Sequence, residues 1–521
     1  MLASVATVVT SLFGLGATHQ IANKRVASAA NARLGMNIAG IADWGTEFPF
    51  VDLFKQSRAW FIEGKEPENS GLVLDAEGWI TRLPLGLTAS TIISSIGDSH
   101  FPSGDYVILY DGEGVIKVPN HFNKSATPGR LVVRVNGQKG IFRLDITKIN
   151  PQNYIKNIRV VLKEHEETYQ TLHWNPIFLK RWSGVSCLRF MDFMQTNNSS
   201  QKNWESRPKP TDANFSTKGV PVEWLVDLAN RLNCDAWFCM PHLADDDYVK
   251  RFAQYVEKNL KTELRAWVEY SNEVWNGGFN QNSYASKAGQ SLKFADKPWE
   301  AAWKFNAYRS VQIFNGWVEV FGGTHRLIRV LASQAVYTEV AKQILGFKLP
   351  NNKVAAEQAD VLAIANYMSL GVSPKLENGI NDKIVADWSL AKLFDYLSNT
   401  ELPACQVWLE ENKKIADEYG LKLVGYEAGQ HLVGYSGAEN NDKLTALFLQ
   451  ANADKRMGEL YAKSLALWQQ IGGDLICNFT SVQGWSKWGS WGIQQYQDEL
   501  PSSKFKAVMD WAKSRGQKVN Y

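Results

Sequence analysis

The sequence predicts an α/β protein, a closed (β/α)8 TIM barrel with a β-sandwich inserted between its first and second strands. Three observations carry this expectation. From about residue 173 onward, short apolar runs alternate with longer amphipathic stretches, the pattern of parallel strands covered by helices on both faces. With one more run near the start, eight strands can be counted, the number that closes such a barrel. Between the first and second runs lies a β-rich stretch too long for a crossover and broken by Asp-Gly and Asn-Gly turns.

The first strand is "RLGMNIAGI" (33–41), with a helix expected around Pro49–Phe61. The stretch at 66–165 holds "GDYVILYDGEGVIKV" (104–118), "GRLVVRVNGQKGIFRLDI" (129–146) and "IKNIRVVL" (155–162), read as antiparallel hairpins. It opens on the face where barrel enzymes carry their sites. It either walls a cleft or braces the barrel or an oligomer contact. The barrel proper is then 31–65 plus 166–521, with strands two to eight at 184–191, 234–241, 264–271, 325–332, 359–367, 422–429 and 473–480. Amphipathic stretches at Val222–Leu232, Asp247–Leu260, Trp299–Phe321 and Lys455–Ile471 supply helices. An open doubly wound sheet would want a Gly-rich phosphate turn after its first strand, and none is present.

Composition narrows the function classes. The 521 residues exceed one average domain, and 45% hydrophobic with 21% charged is a globular balance. A net charge of +3, without a long Lys/Arg block, argues against nucleic acid as the main partner. The 20 tryptophans either enrich the core or line a sugar cleft, where flat rings stack on pyranose C–H faces. Of 5 cysteines, Cys187, Cys239 and Cys477 fall in apolar runs and read as buried free thiols, and Cys234 and Cys239 lack zinc spacing. No metal and no cofactor is expected.

Residues 1–18 carry no charge, and Lys24 and Arg25 follow the apolar stretch instead of preceding it as in a signal peptide. Ala27-Ser28-Ala29 offers a small-residue cleavage site. Residues 1–30 are therefore either an export signal, giving a secreted or cell-surface protein, or an uncleaved arm anchoring the chain in an extracellular or viral particle. Homo-oligomers and larger assemblies stay open. No other stretch is a membrane-span candidate.

Catalytic groups of barrels sit at the C-terminal ends of strands. Strand two ends in Arg189 and Asp192; strand three ends in His242, followed by Asp245-Asp246-Asp247; strand four ends in Asn272-Glu273. Strand six ends in Asn366-Tyr367, strand seven in Glu427 with His431 just beyond, and strand eight runs into "SVQGWSKWGSWG" (481–492). Strands four and seven lie nearly opposite in an eight-stranded ring, so Glu273 and Glu427 can meet across the mouth. Two carboxyls about 5–5.5 Å apart are the geometry of retaining glycoside hydrolysis.

This ordered set resembles glycoside hydrolase clan A, the superfamily of many cellulases, mannanases and related β-glycosidases. The resemblance covers about 33–50 and 173–500. It implies a β-linked glycan substrate, Glu273 as acid/base and Glu427 as nucleophile. It implies that Asn272 bonds the sugar 2-hydroxyl, Tyr367 and Arg189 hold the nucleophile, and Trp485 floors the central subsite, with Trp488 or Trp491 as alternatives. Many clan members have Pro after the acid/base; here Val274 follows.

Other readings remain beside these. Glu269 shares a strand face with Glu273 and is either a buried partner of an arginine or the catalyst itself. Asp245–Asp247 read as a helix start or as a calcium site. His242 and His431 read as substrate-subsite or supporting groups. Glu273 and Glu427 could be ion-pair carboxylates in a carbohydrate-binding or structural component without turnover.

Overall fold

The computed structural model describes residues 32–97, 100–376 and 380–520. The signal-like 1–30 segment lies outside them. Strands β1 (Arg33–Asn37), β2 (Cys187–Arg189), β3 (Asp235–Met240), β4 (Ala266–Tyr270), β5 (Leu327–Ala332), β6 (Val361–Val372), β7 (Lys422–Gly434) and β8 (Leu475–Asn478) close into a barrel in chain order. The seam is the parallel pairing of β8 with β1, with Leu34 opposite Ile476.

The closure follows from near-continuous apolar strands, whose two faces both find cover. One face fills the barrel with Trp237, Trp267, Val330, Ala363, Val424 and Cys477. Trp237 and Trp267 stack there at 5.0 Å. The other face, with Met36, Phe238, Val268, Leu362 and Leu423, packs under the helices. Gly35 is required where β1 meets β8, because a Cβ there would stand 2.5 Å from the Cys477 sulfur. All five cysteines are buried and free.

Helices form where the periodicity placed them: Val222–Leu232, Asp246–Asn259, Pro298–Phe321 and Lys455–Gln470. Asp245 caps the second of these by accepting from the Tyr248 N–H at 2.8 Å, so the Asp245–Asp247 run starts a helix. The helix expected around Pro49–Phe61 does not form. That stretch makes only a 3-10 turn, Leu53–Gln56, capped by Asp52. Phe48, Leu53 and Phe54 are drawn instead into an apolar core shared with the β-rich region that follows. Among the described residues the first α-helix comes after that region, at Pro176–Trp182.

Between β1 and β2 the chain builds a short two-stranded pair, Val73–Leu74 with Ile80–Arg82, and two larger antiparallel sheets. One has the order Lys156–Leu162, Gly104–Asp111, Arg130–Val135, Phe122–Thr127; the other is Ala89–Ser94, Phe142–Ile149, Gly114–Lys117. Tyr106, Val133 and Val160 of the first share a core with Leu144 and Ile146 of the second. This region leans on the β8 loop, where His100 stacks on Tyr496 at 3.6 Å and meets Asp498 at 2.8 Å.

Strands β6 and β7 outgrow the barrel, pairing from Val361–Lys422 to Val372–Gly434. Their register slips where Ile364 opposite Gly425 is followed by Ala365 opposite Glu427, leaving Tyr426 as an extra residue. Such a bulge re-aims side chains. Here Tyr426 and Glu427, adjacent in sequence, both turn toward the barrel mouth.

Candidate active site

Arg189 is the hub. It is fully buried at the end of β2 and spends all five of its N–H donors. Nε and Nη2 donate to the Glu269 carboxylate at 3.1 and 3.0 Å; Nη2 also reaches Asn272 Oδ1 at 2.8 Å. Nη1 donates to Glu427 Oε1 at 3.1 Å and Asn37 Oδ1 at 3.2 Å. The guanidinium lies 5.0 Å from the Tyr426 ring centre and 5.5 Å from that of Trp237. The arrangement fixes a planar cation between acids from β4 and β7.

Glu427 is held at both oxygens, by Arg189 and by the Tyr367 hydroxyl donating to Oε2 at 2.8 Å. Glu273 has no cation in ion-pair contact among the described residues. Its Oε1 accepts from the Tyr426 hydroxyl at 2.9 Å and its Oε2 from the Asn276 amide at 2.8 Å. Burial pushes the Glu427 carboxyl up to about 8; Arg189 opposes the rise and the Glu273 charge adds to it. Burial likewise raises Glu273, against its bonds from Asn276 and Tyr426. The two acids titrate as a pair. The Arg189 charge beside Glu427 and its two donors work toward its ionised form, whereas Glu273 has only neutral donors.

The backbone that presents Glu273 is held in an uncommon conformation. Ser271 has φ +58° and Glu273 φ +42°, both in the left-handed region. Asn276 N–H donates to the Glu273 carbonyl at 2.8 Å, and Gln281 Nε2 to the Asn272 carbonyl at 2.8 Å. These bonds clamp a turn that the strand alone would not adopt.

The structure thus joins Arg189, Asn272, Tyr367 and Glu427 directly, with Glu273 attached through Tyr426. Glu269 is the arginine partner, closed in further by the Trp237 indole N–H at 2.9 Å. His431 stands beside Tyr367, ring centres 5.4 Å apart, and burial holds its imidazole down at about 4, neutral near pH 7. His242 sits apart, 5.6 Å from the Tyr284 ring, with its Nδ1 buried and without a partner. Trp485 donates its indole N–H to the Gly492 carbonyl at 2.9 Å and lies over the buried Lys504 ammonium at 4.2 Å. Trp491, not Trp485, is the β8-loop tryptophan whose ring reaches His431, at 5.8 Å.

Sequence reasoning missed Tyr426 and Asn37. Asn37 carried the signal used elsewhere, a polar residue ending an apolar strand. Tyr426 carried none, because strict alternation sends it to the face opposite Glu427 and only the bulge brings both inward.

No protein-family model matches the chain, and no curated protein matches it. Among solved structures it is similar to fungal β-1,4-galactanases, at 11% identity over 65% of this chain and 91% of that chain, TM-score 0.34. A 4-O-α-L-rhamnosyl-β-D-glucuronidase from Fusarium oxysporum aligns at 11% identity over 64% of this chain and 62% of its own, TM-score 0.40. A GH10 protein from Paenibacillus barcinonensis aligns at 12% identity over 65% and 89%, TM-score 0.33. The barrel itself rests on its own strand order and parallel pairing.

Proposed function

We propose that this chain is a retaining glycoside hydrolase acting on a β-linked glycan, with Glu427 as nucleophile and Glu273 as acid/base. One observation carries the reading: a buried acid and a half-buried one at the tips of opposed strands share one electrostatic field, yet only the buried one is paired with a cation. A carboxylate held by Arg189 and Tyr367 keeps its charge and its aim, as attack on an anomeric carbon requires. A carboxyl held by neutral donors keeps a proton to give to the leaving oxygen and afterwards takes one from water. In the first step the Glu427 oxygen bonds the anomeric carbon while the glycosidic C–O bond breaks and Glu273 protonates the departing oxygen. In the second, water replaces Glu427 and returns its proton to Glu273. Asn272, fixed by Arg189 at 2.8 Å, is assigned the hydrogen bond to the sugar beside the reacting carbon.

The test is a panel of β-linked polysaccharides followed by reducing-end release, with the anomer of the first product read by NMR. Glu427→Gln should lower turnover by more than about 1,000-fold with the far-UV spectrum unchanged. An inverted first product, or parent-level cleavage by the variant, rejects the mechanism. Glycan binding without any released ends would instead favour a non-catalytic carbohydrate-binding protein.

A further inference from the structure

The Asn272 side chain has two unlike ends, a carbonyl oxygen that only accepts and an amide nitrogen that only donates. Which end faces a sugar decides what can bind there. The side chains around it fix the answer.

Arg189 fixes the first end. A guanidinium has donors only, so the atom that meets its Nη2 at 2.8 Å is Asn272 Oδ1. The nitrogen then points to the loop after β2, where Nδ2 donates to Asn197 Oδ1 at 3.1 Å. Asn197 is an amide too, and Gln281 keeps it from turning over. Gln281 Nε2 spends both hydrogens, on the same Asn197 Oδ1 at 2.7 Å and on the Asn272 backbone carbonyl at 2.8 Å. Its Oε1 accepts from the Asn198 backbone N–H at 3.0 Å. A backbone carbonyl cannot donate and a backbone N–H cannot accept, so Gln281 has one workable orientation. Asn197 therefore shows its oxygen to both neighbours, and Asn272 shows its nitrogen to Asn197. The order of these amides is set by an arginine at one end and by peptide groups at the other.

The frame around Asn197 is built to hold it. Gln195 and Asn198 take φ +47° and +58°, left-handed values that kink the loop on either side. Thr196 N–H returns to the Met191 carbonyl at 3.1 Å. Asn198 Oδ1 accepts from the Asn280 N–H at 2.8 Å, at the start of the helix Asn280–Ser291. Gln281, in the first turn of that helix, is fully buried. The loop after β2 and the helix after β4 are thus tied together around Asn272. Its amide nitrogen has two hydrogens; Asn197 takes one, and the other has no protein partner among the described residues.

We infer that Asn197 is a positioning residue that sets specificity through Asn272. It holds the amide so that an N–H, and not the carbonyl, is offered to the sugar beside the reacting carbon. A hydroxyl oxygen, which can accept, fits there; a protonated amine, which has only hydrogens to give, does not. The substrate class is then a β-linked glycan with a hydroxyl or another acceptor next to the reacting carbon, not a polymer with an ammonium there. The contact of Asn272 with the sugar rests on the glycosidase reading; the order of the amides does not.

The experiment measures kcat/KM for aryl β-glycosides of the gluco, galacto and xylo series, each as the 2-hydroxy, the 2-deoxy and the protonated 2-amino-2-deoxy compound. The proteins are the parent, Asn197→Leu, Asn197→Ala and Asn197→Asp, with Glu427→Gln as the blank. The alanine variant keeps the measurement if the leucine variant does not fold. Dividing variant by parent on one substrate cancels the intrinsic reactivity of that substrate. Asn197→Leu and Asn197→Ala should lose about tenfold more on the 2-hydroxy compound than on the other two, the equivalent of one hydrogen bond. Asn197→Asp keeps an acceptor for both neighbours and should return the 2-hydroxy preference to within about threefold of the parent. Equal losses on all three compounds, no loss on any, or no rescue by the aspartate overturns the positioning role and leaves a Glu427-dependent hydrolase standing. Matching losses on the 2-hydroxy and 2-amino compounds, with the 2-deoxy compound spared, mean that the carbonyl faces the sugar and overturn the inferred specificity. If the parent cleaves none of the glycosides in a Glu427-dependent way, the hydrolase reading ends and this specificity ends with it.

Discussion

Two neighbouring parts of the barrel mouth are bonded to different degrees. Around Arg189 every guanidinium hydrogen is spent, both Glu427 oxygens and both Glu273 oxygens accept bonds, and the network closes on itself. Across Trp491, the cavity between the β1 and β8 loops leaves Thr46, Gln56 and Gln483 with unmet polar atoms and two tryptophans facing outward. A closed network fixes charge and geometry before anything arrives, as a reaction centre needs. The difference can be broken by removing one polar group at a time on each side.

The largest expected effect is on the closed side. Arg189→Met leaves Glu269 and Glu427 buried without their cation. Removing one member of a buried ionic network costs about 3–5 kcal/mol, so the urea midpoint should drop sharply. Turnover should fall by about 100- to 1,000-fold as Glu427 loses its charge support. A variant of parental stability would mean that the network is not the closed unit described.

Asn37→Leu comes next. The amide accepts from Arg189 Nη1 and donates to the Tyr426 carbonyl at 2.8 Å. A leucine of similar shape strands both groups, and stability should fall by about 3 kcal/mol, read from the same denaturation curve.

Most of the frame that holds these residues is legible in the sequence, for a physical reason. Parallel barrel strands are apolar on both faces, so runs such as "CDAWFCMP" and "LRAWVEYS" stand out from their surroundings, and a polar residue at the end of such a run has few structural excuses. That is how Arg189, Asn272, Glu273, Tyr367 and Glu427 were found. Glu269 was legible as an inward-facing acid, but two roles fitted it until Arg189 and Trp237 closed on it. What escaped depends on long-range register. The β7 bulge that brings Tyr426 and Glu427 to one face has no local signal, and Phe48, Leu53 and Phe54 read as helical until a second core claims them. The orphaned acceptors were invisible too, since being without a partner is a property of the whole fold and not of a motif.

Tyr426→Phe probes the closed side more gently and through pH. The Tyr426 hydroxyl favours the ionised form of Glu273, so its loss should raise that group further. The acid then keeps its proton to higher pH. The alkaline limb of the kcat/KM profile should move upward by about half to one pH unit, the equivalent of one ordinary hydrogen bond. The acid limb, where the pair takes its second proton and Glu427 is neutralised, should move much less. A downward shift of the alkaline limb would assign the retained proton to Glu427 and reverse the roles of the two acids.

The smallest effect tests the contrast by its sign. Thr46→Val, like Asn37→Leu, replaces a buried polar side chain with an apolar one of similar shape. On the closed side the exchange removes bonds that exist; in the cavity it removes a hydroxyl that has none. A buried polar atom without a partner carries its desolvation penalty uncompensated, so taking it away should stabilise the free protein, by about 1 kcal/mol. Equilibrium denaturation should therefore move the two variants in opposite directions. If Thr46→Val destabilises the free protein as Asn37→Leu does, the hydroxyl already has a structural task, and the two halves of the mouth are built alike.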